Sequence, residues 1–432
     1  MSEVYSTLTA LFTDIADAIR ETTGDTDLII ADDFPDLIRD SLQVKPYLTF
    51  KSPNSFTLKV NDTTKHWNGT LQYSTDTSTW TTWNGTTTLS SATKGSSNVL
   101  YLRGTGNTVI TGDRYTYNWV LTGSDIKCIG NIENLLDYAT VASGNHPTMA
   151  DYCYNYMFYG CTSLTQAPAL PATTLADYCY RGMFEGCKSL TQAPALPAIT
   201  LAKNCYDGMF YDCTSITQAP ALPATTLAKN CYSSMFSGTA ITQAPALPAT
   251  TLAEGCYHGM FWGCKLLTQA PTLPVTTLAT NCYYNMFRGC TSLTQAPALP
   301  ATTLANECYS YMFRDCTSLN QAPALPATTL VQGCYYGMFS GCTALTQAPA
   351  LPATTLSSMC YYYMFNGCTG LKLSTTYTGE YTVAYRIPSS GTGTTAYSNA
   401  LKDMFRYTGG TFKGTPEINT TYYLSNTNTI VS

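Results

Sequence analysis

The chain has 432 residues, of which only 11% are charged, and its formal net charge is −5 at pH 7. It carries no basic run, which argues against nucleic acid as a partner, and no apolar stretch long enough for insertion into a membrane. Because a single hydrophobic core rarely serves a chain of this length, a modular or repetitive protein is expected.

Residues 1–43 are predicted to form two short helices. Apolar side chains recur at three- and four-residue spacing between Val4 and Ile19, and Pro35 is suited to open the second helix. So short a segment cannot bury the resulting apolar stripe by itself. We expect it either to dock onto the following domain, or to self-associate as a homo-oligomer or attach the chain to a larger assembly.

Part of this segment resembles a known module. Ile15–Arg20, Thr23-Gly24 and Asp32–Ile38 are similar to a short N-terminal module that recurs in phage tail and fibre proteins of gut bacteria. The resemblance implies that residues 1–43 attach the chain to other virion proteins.

Residues 44–127 change to the alternation typical of half-buried strands. Phe56–Val60 is one such segment, and Asn68-Gly69 is one of the turn signals between them. Six or seven strands of this kind predict a small β-sandwich, immunoglobulin-like in size. Three tryptophans fit either a sugar-stacking platform or the core of the sandwich, the commoner role: Trp67, Trp80 and Trp83.

From about residue 145 onward the chain repeats one unit nine times. The opening cysteines are 26 residues apart, with one interval of 25. Self-similarity at this period predicts a solenoid, in which each turn buries a face against the next. The opening cysteines are Cys153, Cys179, Cys205, Cys231, Cys256, Cys282, Cys308, Cys334 and Cys360.

The second copy shows how one unit is expected to fold. Apolar residues from Leu175 to Cys187 have the spacing of one face of a short helix, and Gly186 is placed to end it. Residues 189–193 predict a short strand. Pro194 and Pro197 prevent both a helix and a fully paired strand beyond it.

The unit resembles the BspA-like (Treponema pallidum type) leucine-rich repeat. Met183-Phe184 corresponds to the family's Ala-Phe, Gly186-Cys187 to its Gly-Cys, Leu190 to its next leucine and Leu196-Pro197 to its Leu-Pro. Each copy is longer than the family's and adds a cysteine and a proline. The resemblance covers about residues 145–371, and it implies an α+β leucine-rich-repeat solenoid of the kind found in adhesins, surface proteins and phage appendages.

The ends of the solenoid are predicted to be capped. Residues 128–144 precede the first copy and are expected to cover its apolar end, so that the capped solenoid spans 128–373. Residues 374–432 contain a degenerate tenth helix around Met404-Phe405 and are expected to form the C-terminal cap.

The 18 cysteines are predicted to be reduced and buried. Thr239 replaces the second cysteine of the fourth copy, and Cys128 has no counterpart in the repeats, so pairing within copies would leave cysteines over. Bridges between stacked copies are the alternative, since equivalent cysteines would lie close enough to pair.

No constellation for catalysis is found. The histidines His66, His146 and His258 lie in different modules, and none has metal-ligand spacing to a cysteine or carboxylate. We therefore expect no enzymatic activity, no cofactor and no metal.

Comparing the copies separates constant positions from variable ones. The two residues after Cys-Tyr and the residue after Met-Phe vary, mostly among Tyr, Ser, Gly, Asn, Trp and Arg, the composition of antibody binding loops. They are interpreted either as a recognition surface or as ordinary drift at solvated positions. The candidate ligand-binding residues are Tyr156, Tyr159, Tyr211, Trp262, Tyr284, Arg288, Tyr311, Arg314, Tyr336, Tyr362 and Tyr363.

A glutamine recurs unchanged in eight copies, from Gln166 to Gln347. Stacked side-chain amides, each donating to one neighbour and accepting from the other, would explain this with a structural role.

These observations lead to two functional hypotheses. The first is a non-enzymatic phage virion appendage, such as a tail or head fibre or a decoration protein, which presents the solenoid to a host cell-surface protein or glycan. The alternative is a bacterial cell-surface adhesin of the BspA type.

Overall fold

The computed structural model describes residues 45–62, 64–391 and 399–431. The helices predicted within 1–43 lie outside this range, as does part of the predicted C-terminal region. Over the described residues, the buried apolar side chains form one continuous core that extends from Leu48 to Leu424.

The first part of the chain forms two β-sheets. Their strands are β1 (Leu48–Ser52), β2 (Thr57–Val60), β3 (Thr70–Ser74), β4 (Thr81–Trp83), β5 (Leu89–Ser90), β6 (Ala92–Lys94), β7 (Ser97–Thr105), β8 (Trp119–Thr122) and β9 (Ile126–Ile129). The larger sheet runs in the order β9-β1-β7-β3-β4, with β6 also on β7, and the smaller in the order β5-β2-β8. The pairings among these nine strands are antiparallel.

The tryptophans do not form a platform. Trp67 and Trp83 are buried, with ring centroids 5.1 Å apart, and Trp119 meets Trp83 edge-on at 5.5 Å. Trp80 is half-buried beneath the guanidinium of Arg103, 4.0 Å from its ring. Because both side chains are buried, they cannot stack on a sugar, and the sugar-stacking role is wrong for Trp67 and Trp83. Their two indoles instead supply much of the core of this small domain.

One α-helix leads from the sheets into the repeats. Helix α1 (Asn134–Ala142) bends at Asp137, whose φ and ψ of −153° and 100° are not helical. Its Leu135 and Leu136 are fully buried, and the helix packs against β7.

The segment around the paired cysteines of each repeat is not a helix. We call it the turn segment; in the second repeat it covers residues 177–187. Five of its backbone N–H groups, at alternate positions from Tyr178 to Gly186, donate to carbonyl oxygens of the third repeat over 2.8–3.0 Å. The N–H groups between them donate three residues back in their own segment, as Met183 does to Tyr180. We call the bonds between repeats the turn ladder.

The turn ladder places a residue with positive φ at every fourth position. In the second repeat these are Tyr178, Gly182 and Gly186, with φ of 58°, 54° and 73°. An α-helix requires negative φ throughout, so the helix predicted in each repeat is wrong. The spacing misleads because a series of four-residue turns brings the same apolar residues to one face as a helix does.

Inside the stack, equivalent side chains lie one above another. The tyrosine rings from Tyr154 to Tyr361 stack at centroid distances of 5.6–6.0 Å. The phenylalanine rings from Phe158 to Phe405 do the same. Each repeat thus covers the apolar face of its neighbour.

All 18 cysteines are free and buried. The thiol of a second cysteine donates to the phenylalanine carbonyl of the preceding repeat, as Cys187 does to Phe158 over 3.0 Å. Thr239, which replaces this cysteine in the fourth repeat, donates instead to Phe236 in its own segment over 2.7 Å. The cysteines therefore act as small apolar side chains with one weak donor, in keeping with the predicted reduced state.

We call the residues that connect one turn segment to the next the return. The returns of successive repeats run parallel, but few of their residues form β-bridges. They contain β10 (Leu164–Gln166), β11 (Gln347–Pro349), β12 (Thr355–Leu356) and isolated parallel bridges such as Gln295 to Gln321. Prolines keep the paired stretches short. The described glutamines form no amide-to-amide hydrogen bonds, and most of their side chains are exposed, so the backbone, not an amide ladder, sets their alignment.

Both ends of the stack are covered. At the first repeat, β10 pairs in parallel with β9, and Trp119 N–H donates to the Met157 carbonyl over 2.7 Å. At the other end, residues 399–408 form a tenth turn segment, with Phe365 N–H donating to Met404 over 2.9 Å.

The remaining strands complete the C-terminal end. They are β13 (Lys372–Ser374), β14 (Tyr381–Arg386), β15 (Ser390–Gly391), β16 (Gly409–Gly410), β17 (Thr421–Ser425) and β18 (Thr429–Val431). Four of them form a sheet in the order β14-β17-β13-β16, while β15 and β18 add to β12 and β11. The chain thus ends by extending the return side of the solenoid.

Replacing a stacked phenylalanine should weaken the solenoid strongly. Phe184 is fully buried between Phe158 and Phe210, at 5.6 and 5.8 Å. Phe184→Ala is expected to lower the free energy of unfolding by about 3–5 kcal/mol, because it leaves a cavity between two fixed repeats. Urea denaturation followed by circular dichroism measures this. A loss below about 1 kcal/mol would mean that the repeats close over the gap.

Candidate binding face of the turn segments

The variable positions of successive repeats lie side by side because the turn ladder holds the segments in register. We call their shared surface the turn face. Each repeat contributes three positions to it: two adjacent residues after Cys-Tyr, here called first and second, and a third after Met-Phe. The turn face runs from Asn155 to Asn366 along the solenoid.

At the first position, rings of neighbouring repeats stack on one another. His258 lies 5.0 Å from Tyr284 at an interplanar angle of 11°, and Tyr336 lies 4.9 Å from Tyr362 at 12°. Neighbouring rings cover the faces of Tyr284, Tyr336 and Tyr362. These three side chains are therefore half-buried and less accessible than freely solvated side chains would be. Burial of the ring is also what chiefly raises the pKa of Tyr362 to about 12.

The second position is one of the left-handed positions. Its glycines and its Asn285 are therefore explained by backbone geometry and need no ligand. Three repeats nevertheless place a tyrosine there: Tyr156, Tyr311 and Tyr363, with φ of 54°, 55° and 56°. A bulky residue in this region carries backbone strain, and the turn ladder imposes the same strain outside the turn face, at Tyr152 and Tyr178.

The third position is the most accessible of the three. Tyr159, Tyr211 and Trp262 are each 38% exposed, whereas Arg288 and Arg314 are half-buried. The structure therefore places all eleven predicted residues on the turn face, but it separates them into two clusters, with Tyr211 between them.

The N-terminal cluster combines aromatic and acidic groups. Tyr156 contacts Tyr159 at 5.8 Å, and Arg181 lies 5.4 Å from the Tyr156 ring and 3.2 Å from a carboxylate oxygen of Asp207. Burial, with Asp207 nearby, raises the pKa of the Glu185 carboxyl to about 7.

The C-terminal cluster combines aromatic rings with two arginines. Arg288 lies 5.0 Å from the Trp262 ring, and Arg314 lies 5.2 Å from the Tyr311 ring. Their Nε atoms are 3.9 and 3.4 Å from the same carboxylate oxygen of Asp315. The rings continue across repeats, with Tyr311 4.6 Å from Tyr336.

Arg181, Glu185 and Asp207 occupy variable positions but are not among the candidate residues, and two further residues of the clusters, Tyr115 and Asp315, lie outside those positions. Tyr115, 62% exposed, reaches the N-terminal cluster from a 3₁₀ turn at Tyr115–Tyr117 and helps to line a cleft of about 240 Å³ with Tyr159. Asp315 stands where most repeats have a glycine before the second cysteine. That departure was visible in the sequence, whereas nothing in the sequence linked Tyr115 to the repeats.

The described residues contain neither a cluster of metal ligands nor a membrane-spanning helix. Within 45–62, 64–391 and 399–431, no three side chains of His, Cys, Asp or Glu gather around a point where a metal ion fits. In the same ranges, no helix combines the length and apolarity needed to cross a membrane. The turn face therefore remains the candidate site.

Stacked parallel turns with a constant apolar interior and a variable outer face define a leucine-rich-repeat solenoid. The sequence model of the BspA type leucine rich repeat region matches residues 137–267 and 257–372, in six copies, which is more than half of the chain. The chain belongs to this family, which confirms the resemblance drawn from the repeated unit. A search of curated proteins and a search of solved structures each found no match.

A double-mutant cycle tests the strained tyrosine. A Cβ atom on Gly337 would collide with the Tyr311 ring, and Gly337 has a φ of 54°. Gly337→Ala is therefore expected to lower the free energy of unfolding by about 1–2 kcal/mol or more. In the Tyr311→Asn background the collision is gone, and only the backbone cost of about 1 kcal/mol should remain. Equal costs in both backgrounds, by urea denaturation, would contradict the ring's position over Gly337.

The raised pKa of Glu185 should make stability depend on pH. Burial moves it from the ordinary 4.5 to about 7, with Asp207 and Asp212 adding to the shift and Arg181 opposing it. The folded state then holds the proton more tightly, so this stabilisation is fully present below about pH 4.5 and is lost as pH rises through about 7. The fall in Tm between pH 5 and pH 8 should be smaller in Glu185→Gln than in the parent. An identical fall in both proteins would rule out this role.

Proposed function

We propose that this protein is a non-enzymatic binding protein that presents its turn face to a partner on a cell surface. The observation that carries the proposal is the turn face itself, where tyrosine, tryptophan and arginine collect on an otherwise constant scaffold. These three residue types dominate the energetics of interfaces because they bury a large area and make directed polar contacts.

The scaffold supports this function by fixing the contact residues in advance. Five backbone bonds hold each turn segment to the next in the first eight repeats, and the side chains of the turn face stack on neighbouring rings or on arginines. A surface ordered before binding loses little conformational entropy when a partner arrives. This favours a recognition role over a spacer role for the solenoid.

The partner that we propose is a host cell-surface protein or glycan. We further propose that residues 1–43 attach the chain to a phage particle, which we call the carrier. The support for the carrier is the resemblance of segments within 15–38 to a module of phage tail and fibre proteins. A bacterial cell surface is the second candidate, supported by the BspA-type repeats that the chain contains. Self-association through residues 1–43 is compatible with either carrier.

A five-site variant tests the binding role. Replacing the aromatic residues at five positions of the turn face with serine should sharply lower attachment to host cells, since a few aromatic residues usually dominate an interface. The fold should persist, because exposed positions cost within about 0.5 kcal/mol and stacked ones about 1 kcal/mol each. The five residues are Tyr211, Trp262, Tyr284, Tyr336 and Tyr362.

The matched control changes five exposed residues on the return side of the same repeats to serine. This variant should attach to cells as the parent does. If the turn-face variant melts normally and attaches equally well, recognition lies outside the solenoid. The control residues are Gln192, Gln218, Gln243, Gln269 and Gln295.

A deletion tests the carrier. Removing residues 1–43 should leave a folded, soluble protein that no longer enters phage particles, because the attachment segment is gone while the core from Leu48 onward is intact. Incorporation is read by immunoblot of purified particles. Unfolding of the β-sheet domain on deletion, seen by circular dichroism, would instead mean that the segment docks onto that domain.

A further inference from the structure

The two clusters of the turn face differ in charge. In the N-terminal cluster Arg181 pairs with Asp207, and Lys188 pairs with Asp212 over 3.2 Å. The Glu185 carboxyl lies near both aspartates, and burial raises its pKa to about 7. In the C-terminal cluster the guanidiniums of Arg288 and Arg314 share the single carboxylate of Asp315. The first cluster therefore pairs each of its two cations with its own aspartate. In the second cluster two guanidiniums share one paired carboxylate, and Glu307, near Tyr284, is the further acidic group.

The two arginines are held in place before any ligand binds. Arg288 lies against the Trp262 ring and Arg314 against the Tyr311 ring, at 5.0 and 5.2 Å. Their side chains are only 26% and 35% exposed, so their positions are restricted. A guanidinium that is fixed on an aromatic ring keeps free N–H donors in one plane, which suits the planar carboxylate group.

Near these arginines the first position carries Tyr284, Tyr336 and Tyr362, with the buried Ser310 between the first two. The rings at the first position cover one another's faces, as Tyr336 and Tyr362 do, so that ring edges and phenol groups remain for a ligand. Stacked rings of successive repeats lie 4.9–5.0 Å apart at the first position and 5.6–6.0 Å apart in the interior. This spacing is comparable to the length of one hexose in a linear polysaccharide.

We infer that the C-terminal part of the turn face binds a linear polysaccharide that carries carboxylates. The chain lies along the solenoid axis, its hydroxyl groups bond to the tyrosine hydroxyls, and one carboxylate is held between Arg288 and Arg314. The inference rests on the proposed binding function and specifies the ligand class for it.

The test is isothermal titration calorimetry with oligogalacturonate and with the same oligosaccharide after methyl esterification of its carboxyls. The parent protein should bind the acid form and bind the ester at least about tenfold more weakly, because the ester cannot form the charged pair. The double variant Arg288→Gln, Arg314→Gln should lose at least about tenfold in affinity for the acid form. Its Tm confirms that it is folded.

Two further variants complete the test. Lys229→Gln is the control: it removes an exposed positive charge of the fourth repeat that lies outside the three positions of the turn face, and it should leave the affinity unchanged. Asp315→Asn removes the carboxylate that competes for both arginines, while asparagine tolerates the positive φ of 62° at this site. It should tighten binding by up to about fivefold.

Three outcomes would overturn the inference. They are equal affinity for acid and ester, unchanged affinity in the double arginine variant, and equal affinity for dextran sulfate, which would make the site a general anion site. If no oligosaccharide binds but the five-site variant still loses cell attachment, the partner is a protein and the proposed function stands. If the five-site variant also attaches normally, the proposed function fails as well.

Discussion

The structure depends on one set of interactions, the backbone hydrogen bonds of the turn ladder. A solenoid repeat cannot satisfy its own polar backbone, and here each turn segment directs alternate N–H groups to the next repeat while it uses the others for its own turns. Because these bonds fix the register between repeats, they also place equivalent side chains of successive repeats directly above one another. The rows of buried tyrosine and phenylalanine rings follow from this register. So does the hydrogen bond of the second cysteine, whose thiol donates to a carbonyl of the preceding repeat from the second repeat onward.

The same register brings the variable residues of successive repeats together on one surface. Residues that point away from the core are free to differ between repeats. Each of them lies beside the equivalent residue of the next repeat, so a substitution in one repeat changes the surroundings of that residue in the next. Tyr311 illustrates this: its ring occupies the space left by Gly337, and a larger residue there would exclude it. The turn face is therefore built from pairs of residues in adjacent repeats, and its two clusters differ because the pairs differ.

Sequence reasoning predicted the repeat, its period, its buried positions and its family, since each follows from residues that recur at a fixed interval. It mistook the turn segment for a helix because a four-residue period in apolar residues fits both structures. The distinguishing feature was present in the fifth repeat, where Gly255, Gly259 and Gly263 occupy every fourth position, as positive φ requires. Of the candidate residues, all lie on the turn face, but which of them touch could not be foreseen. That depends on the register between repeats and on loops such as the one that carries Tyr115.

The turn ladder also gives the solenoid a net dipole along its axis. In every described pair of successive turn segments, the N–H groups that cross between repeats belong to the earlier repeat, and the carbonyls that receive them belong to the later one. These peptide dipoles therefore add along the axis instead of alternating as they do in a sheet. An α-helix gathers positive potential at its N-terminus, but here the positive pole lies toward the C-terminal cap. The backbone thus favours an anion beside the C-terminal cap, three turn segments beyond the one that carries Arg314.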